Sequence, residues 1–139
     1  MNTYSLIKQI RVGNFEYIKA NVNKDTLELN HLLAEAACCN NEEILILLLE
    51  NGATDYNWAM NCAALAGGRN IVKILLNKGA NNYQNVLETA SELGYEDIIY
   101  LMLEQMKGKG YNYDQAVKIA SNKEIKEIII AYKDGKVKL

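Results

Sequence analysis

The stretch Ala36-Ala37-Cys38-Cys39-Asn40-Asn41-Glu42-Glu43-Ile44-Leu45-Ile46-Leu47-Leu48-Leu49-Glu50-Asn51-Gly52-Ala53 decides the fold, because it lies without a gap over Ala63-Ala64-Leu65-Ala66-Gly67-Gly68-Arg69-Asn70-Ile71-Val72-Lys73-Ile74-Leu75-Leu76-Asn77-Lys78-Gly79-Ala80. The step from Ala36 to Ala63 is 27 residues. The same step forward carries Gly67 to Gly94, Ile71 to Ile98 and Leu76 to Leu103; backward it carries Asn40 to Gly13 and Leu45 to Ile18. Four units therefore share one register. A fifth is degenerate: Ile98 maps to Ile125 and Leu103 to Ile130. Its first helix is expected to be displaced by about three residues, with Ala120 in the place of Ala63 and Lys107-Gly108-Lys109-Gly110 absorbing the insertion.

Apolar spacing within each unit is helical, as in Ile71, Ile74 and Leu75, where an i, i+3, i+4 stripe ends on polar Lys78. Each unit reads as two helices. The break between them falls at Gly13, Asn40, Gly67 or Gly94, residues that accept a left-handed backbone cheaply, and Gly52 and Gly79 end second helices. The predicted helices are 3–11, 14–21, 31–39, 41–50, 57–66, 68–77, 84–93, 95–105, 112–121 and 123–132, with negligible strand. A helix pair this short cannot bury its stripe alone, so neighbouring pairs must stack. The expected fold is an all-α solenoid of about five helix-turn-helix repeats. It forms a single domain over 1–139, with repeats at 3–29, 30–56, 57–83, 84–110 and 111–134 and a short basic tail at 135–139.

Composition is that of an ordinary globular protein: 50% hydrophobic and 23% charged among 139 residues. A formal charge of −2 gives no global attraction to nucleic acid or to an anionic membrane. Lys8, Gln9 and Arg11 interrupt any apolar leader, and the aliphatic run Ile44 through Leu49 falls far short of the ~20 residues that span a bilayer. Three cysteines, two of them the neighbours Cys38 and Cys39, are poor material for a disulfide framework. A soluble, intracellular protein with reduced cysteines is expected.

The segment Cys62-Ala63-Ala64-Leu65-Ala66-Gly67-Gly68-Arg69-Asn70-Ile71-Val72-Lys73-Ile74-Leu75-Leu76-Asn77-Lys78-Gly79-Ala80-Asn81 resembles the ankyrin repeat, with its double alanine, glycine, Ile-Val pair, leucine run and closing Gly-Ala-Asn. The resemblance covers nearly the whole chain and is best from Leu32 to Leu103. It departs from the usual unit, which runs to ~33 residues and opens with Thr-Pro-Leu-His. Here Trp58-Ala59-Met60-Asn61 stands in that place and the chain has no proline. The missing length corresponds to the β-hairpin finger, which the resemblance therefore predicts to be shortened or absent. Units containing Asp55-Tyr56-Asn57-Trp58-Ala59-Met60 look like the multiplied ankyrin proteins of large DNA viruses. That likeness implies a viral protein acting inside a host cell, in the cytoplasm.

The repeats supply an internal comparison of scaffold and surface. Leu6/Leu33/Met60/Leu87, Ile18/Leu45/Val72/Ile99 and Val22/Leu49/Leu76/Leu103 stay apolar in every unit and are assigned to the core. Ala36, Ala63 and Ala90 stay small, as a close helix crossing requires. Tyr56 and Tyr83 are one period apart and read as loop anchors. Positions that vary are where a partner can be read. The pair after the double alanine runs Arg11-Val12, Cys38-Cys39, Leu65-Ala66 and Glu92-Leu93, and the ankyrin resemblance implies that it lines the concave face. A second varying set is His31, Trp58 and Asn85, at the entrance to each first helix. Leu65 either covers the core or forms a contact patch; Trp58 either packs on the next unit or meets the partner. The candidate partner-binding residues are Arg11, Cys38, Trp58, Leu65, Ala66, Glu92 and Leu93.

Chemical sites are poorly supported. Cys38, Cys39, Cys62 and His31 lack zinc-ligand spacing, and adjacent cysteines on a helix point ~100° apart. A Cys–His nucleophile would need His31 set against a thiol and an oxyanion hole. Glu42-Glu43 and Glu96-Asp97 fall where carboxylates favour a helix start, and no phosphate-binding glycine loop occurs. The basic end from Lys133 to Leu139 reads as a solvated tail. The expectation is a non-enzymatic protein-protein interaction module, monomeric until it meets its partner, without cofactor, metal, nucleic acid or membrane. A self-associating scaffold is the alternative.

Overall fold

A computed structural model describes residues 2–136, and among these the chain forms ten α-helices and no strand. They are α1 (Thr3–Arg11), α2 (Phe15–Asn21), α3 (Leu29–Cys38), α4 (Glu42–Glu50), α5 (Tyr56–Leu65), α6 (Arg69–Lys78), α7 (Tyr83–Leu93), α8 (Glu96–Met106), α9 (Asp114–Ile119) and α10 (Lys123–Lys133). The chain divides into two compact units, one ending at Asn81 and one beginning at Asn82.

In the first unit α1 packs on α3 and α3 on α5, while α2 packs on α4 and α4 on α6. First helices thus form one layer and second helices another. In the second unit α7 packs on α8 and α9, and α10 closes on α8 and α9.

The turns between paired helices follow from the glycine and asparagine column. Gly13, Asn40, Gly67 and Gly94 have φ of 73°, 54°, 70° and 84°. This left-handed residue lets the following N–H reach back to the helix it leaves: Asn41 N donates to the Ala36 carbonyl at 3.0 Å, Gly68 N to Ala63 at 2.9 Å and Tyr95 N to Ala90 at 2.9 Å. Asparagine and aspartate then start helices. Side chains of Asn2, Asn14, Asn41, Asp55 and Asn122 accept from the backbone N–H of Ser5, Tyr17, Ile44, Trp58 and Ile125, each satisfying a donor that the first turn cannot.

Side-chain clamps hold the short connections between helix pairs of the first unit. Asn30 Oδ1 accepts from Thr54 N at 2.7 Å and Asp55 N at 2.9 Å. One period on, Asn57 Oδ1 accepts from Asn81 N at 2.8 Å and its amide donates to Asn81 Oδ1 at 3.1 Å. In these two connections a side chain of the preceding first helix takes up backbone N–H groups of the loop, which need no hairpin partner there.

Two of the three core sets lie where the repeat places them: Leu6, Leu33, Met60 and Leu87, and Ile18, Leu45, Val72 and Ile99, are all buried. Ala36, Ala63 and Ala90 have no exposed surface. The third set needs correction, because Leu49 and Leu76 are only half-buried while Val22 and Leu103 are buried. The residue before each half-buried leucine, Leu48 or Leu75, is the fully buried one. In an unbroken leucine run sequence similarity alone cannot tell which of two neighbours faces inward, since both are apolar at a ~100° separation.

The fifth unit also departs from expectation. The helix predicted over 112–121 spans only Asp114–Ile119, and Ala120, expected to match Ala63, is half-buried and lies beyond the helix with ψ of 135°. The fully buried alanine here is Ala116. The cause is the start of α10: Asn122 must be extended, at φ −152° and ψ 173°, to cap Ile125 N. Residues 120–122 therefore leave the helix, and Ser121 N donates to the Ser91 carbonyl at 2.8 Å. Ile125 is buried as its match Ile98 predicts, but Ile130 is 41% exposed where Leu103 is buried. α10 buries one i, i+4, i+7 stripe of Ile125, Ile129 and Tyr132, whereas α8 buries Ile98, Ile99, Met102, Leu103 and Met106. Lys133, assigned to the solvated tail, belongs to α10 and pairs with Asp114 at 3.0 Å. Of the predicted tail 135–139, residues 137–139 lie outside the described residues.

Candidate interaction surface

One face of each first helix carries an i, i+4, i+7 stripe that the 27-residue step reproduces. The stripe is Tyr4, Lys8 and Arg11 on α1; His31, Glu35 and Cys38 on α3; and Trp58, Cys62 and Leu65 on α5. These nine residues share the first unit. The corresponding residues of α7, in the second unit, are Asn85, Thr89 and Glu92.

Contacts run between adjacent stripes of the first unit. The rings of His31 and Trp58 lie 5.6 Å apart at 36°. Arg11 Nε donates to Glu35 Oε1 in an ion pair that holds the Arg11 guanidinium above its ordinary range. Cys62 is pushed up to about 12, first by burial and then by its hydrogen bond with Cys38. Burial likewise raises Cys39. On α1 itself the Lys8 ammonium sits 5.9 Å above the Tyr4 ring. Arg11–Glu35, Asn30–Thr54 and Asn57–Asn81 are each 24 residues apart. A residue thus reaches one helical turn short of its own repeat equivalent. Stacking translates positions by one period, which the His31–Trp58 contact keeps, while these three pairs follow a second, shorter spacing.

All seven candidate residues are exposed: Arg11, Cys38, Trp58, Leu65 and Ala66 on the first unit, Glu92 and Leu93 on the second. Leu65 is 58% exposed and Trp58 42%, so neither is sealed in the core, although Trp58 also packs on His31. The helix-ending column is exposed throughout, as Val12, Cys39, Ala66 and Leu93. Tyr56 and Tyr83, read as anchors, are half-buried at the starts of α5 and α7, and Tyr83 meets Tyr111 edge-on at 6.2 Å.

Comparison of repeats found the stripe ends Arg11, His31, Cys38, Trp58 and Leu65 but no middle residue. Lys8, Glu35 and Cys62 were missed, as was Tyr4, the equivalent of His31 and Trp58. The signal that finds them is helical spacing from the ends already identified: Trp58 and Leu65 are seven residues apart, and Cys62 lies between them on the same face.

The surface offers exposed aromatic and aliphatic area beside an ion pair, the mixture of protein interfaces. Among the described residues no group of three or more His, Cys, Asp or Glu is placed to hold a metal ion, and no helix is long and apolar enough to cross a membrane. An open groove of about 750 Å³ lies elsewhere, lined among others by Asn2, Asn21, Asp25 and Leu27, and includes none of the candidates. No protein-family model matches the sequence, and no curated protein matches it.

Proposed function

We propose that this chain is an ankyrin-type repeat protein that binds another protein through the exposed first-helix face. The observation that carries this reading is the contrast within one period. Ala63 and Met60 have no exposed surface, whereas Trp58 and Leu65 on the same helix stand open to solvent. Burial accounts for the constant positions, while Trp58 and Leu65 keep about half of their surface exposed. Trp58 and Leu65 are the anchors, with Ala66 beside them and Arg11 and Cys38 completing the face on the first unit. Glu92 and Leu93 present the equivalent positions of the second unit. The likeness of Asp55 to Met60 to viral ankyrin units supports a viral protein that meets a host or viral partner in the cytoplasm.

The test is affinity capture from infected or expressing cells with the wild type, Trp58→Ala and Leu65→Glu as parallel baits. A partner retained by wild type and lost with both folded variants is the expected result. A partner held equally by all three would place binding on another surface. Self-association is the second reading, favoured by Leu27, 81% exposed beside the open groove at the start of α1. Light scattering over a range of concentrations separates the two, since a binding module stays monomeric alone.

A further inference from the structure

Arg11 and Glu35 form an ion pair between α1 and α3. One 27-residue step carries Arg11 to Cys38 and Glu35 to Cys62, so two thiols occupy the corresponding places between α3 and α5. α3 packs directly on α5, Cys38 is among the groups that raise the neighbouring Cys62 thiol, after burial, and all three cysteines are free. Cys38, at the end of α3, is exposed, and Cys62 is half-buried. We propose that Cys38 and Cys62 form a reversible dithiol–disulfide site, oxidised by a low-molecular-weight disulfide through thiol–disulfide exchange. This proposal does not rest on partner binding.

The exposed Cys38 thiolate attacks the small disulfide, forming a mixed disulfide and releasing one small thiolate. Cys62, as thiolate, then attacks the Cys38 sulfur, forming the Cys38–Cys62 bond and releasing the second. The protein loses two thiol protons and two electrons; the small disulfide gains both and becomes two thiols, so excess small thiol reverses the reaction. Cys39 is the poorer partner for Cys38. Adjacent residues hold their Cα atoms ~3.8 Å apart, below the ~4.4–6.8 Å that an ordinary disulfide spans. The second step is slow at neutral pH because burial keeps Cys62 protonated. A protein in a reducing compartment therefore keeps its thiols, and bridging requires sustained oxidation.

The experiment treats the full chain with glutathione disulfide, blocks residual thiols, and cleaves after glutamate, which separates Ala36–Glu42 from Asn51–Glu88. These two peptides should be joined by a disulfide in wild type and in Cys39→Ala, and not in Cys38→Ala or Cys62→Ala. Reduced glutathione should restore the free thiols. Closure of the mixed disulfide should quicken about tenfold per pH unit between pH 7 and 9, the response of a resolving thiol that titrates well above that range. A bridge confined to Ala36–Glu42, one that persists in Cys38→Ala, or a mixed disulfide that never closes would each overturn the proposal.

Discussion

Ala63→Leu tests the helix crossing on which the stack depends. Ala63 has no exposed surface, and neither does Ala36 one period earlier on the adjacent α3. The Ala63 carbonyl also accepts the Gly68 N–H at 2.9 Å, tying its backbone to the turn into α6. A leucine adds three carbons where side chain and main chain are both committed, and overpacking of this kind costs ~1–3 kcal/mol. For a domain of this size that lowers the melting temperature by ~4–12 °C. Leu65→Glu, two residues along the same helix at a site 58% exposed, should change stability by ~0.5 kcal/mol or less. Thermal melts of wild type and both variants, followed by far-UV circular dichroism, give the comparison. A melt of Ala63→Leu within a degree or so of wild type would show that the alanine column is not a tight crossing. A collapse of Leu65→Glu would show that Leu65 is core.

Asn57→Ala removes the bonds to Asn81 N and Oδ1; because water reaches this loop, the expected loss is ~0.5–1.5 kcal/mol, read as a lower urea midpoint. Glu28 starts α3 at φ 59° with no side-chain cap, so Glu28→Gly should raise stability by ~0.5 kcal/mol, the relief of a left-handed backbone partly offset by glycine's entropy; an unchanged or lower melting temperature would contradict this. Burial first, and then the 2.7 Å bond to Glu104, push Tyr132 up to about 12. The raised native value contributes stability present below the unfolded value of ~10 and lost as pH rises toward 12. Tyr132→Phe should accordingly lose less stability than wild type over that window, as measured by melts across it.

The repeat was legible in the sequence because a fixed step preserves burial: Leu6, Leu33, Met60 and Leu87 are different residues in one environment. Helix ends were legible too, since Gly13, Asn40, Gly67 and Gly94 mark the left-handed turn directly. What escaped was rotation within uniform chemistry, as at Leu48 against Leu49, and the fifth unit, where the cap at Asn122 overrides the match of Ala120 to Ala63. The candidate surface was half legible. Variation identified Leu65 and Trp58, but Cys62 and Glu35 share a face with them only once the helix is built.

The two spacings have a consequence for recognition. Where a contact runs between a residue and the one 24 positions later, as from Arg11 to Glu35, the chemistry at the end of one first helix is set against the middle of the next. Along the first unit that sequence of contacts passes from the Arg11–Glu35 ion pair to the Cys38–Cys62 thiols. The charged head of Arg11 is thus paired with Glu35 at the exposed surface, while Trp58 and Leu65 supply large apolar area. A partner that read this face by charge alone would have to compete with Glu35 for Arg11. One that buries Trp58 and Leu65 gains apolar transfer, worth ~25 cal/mol per Å², without breaking that ion pair. The apolar end of the face, on α5, is therefore where binding energy should concentrate, with Arg11 contributing to orientation at its rim.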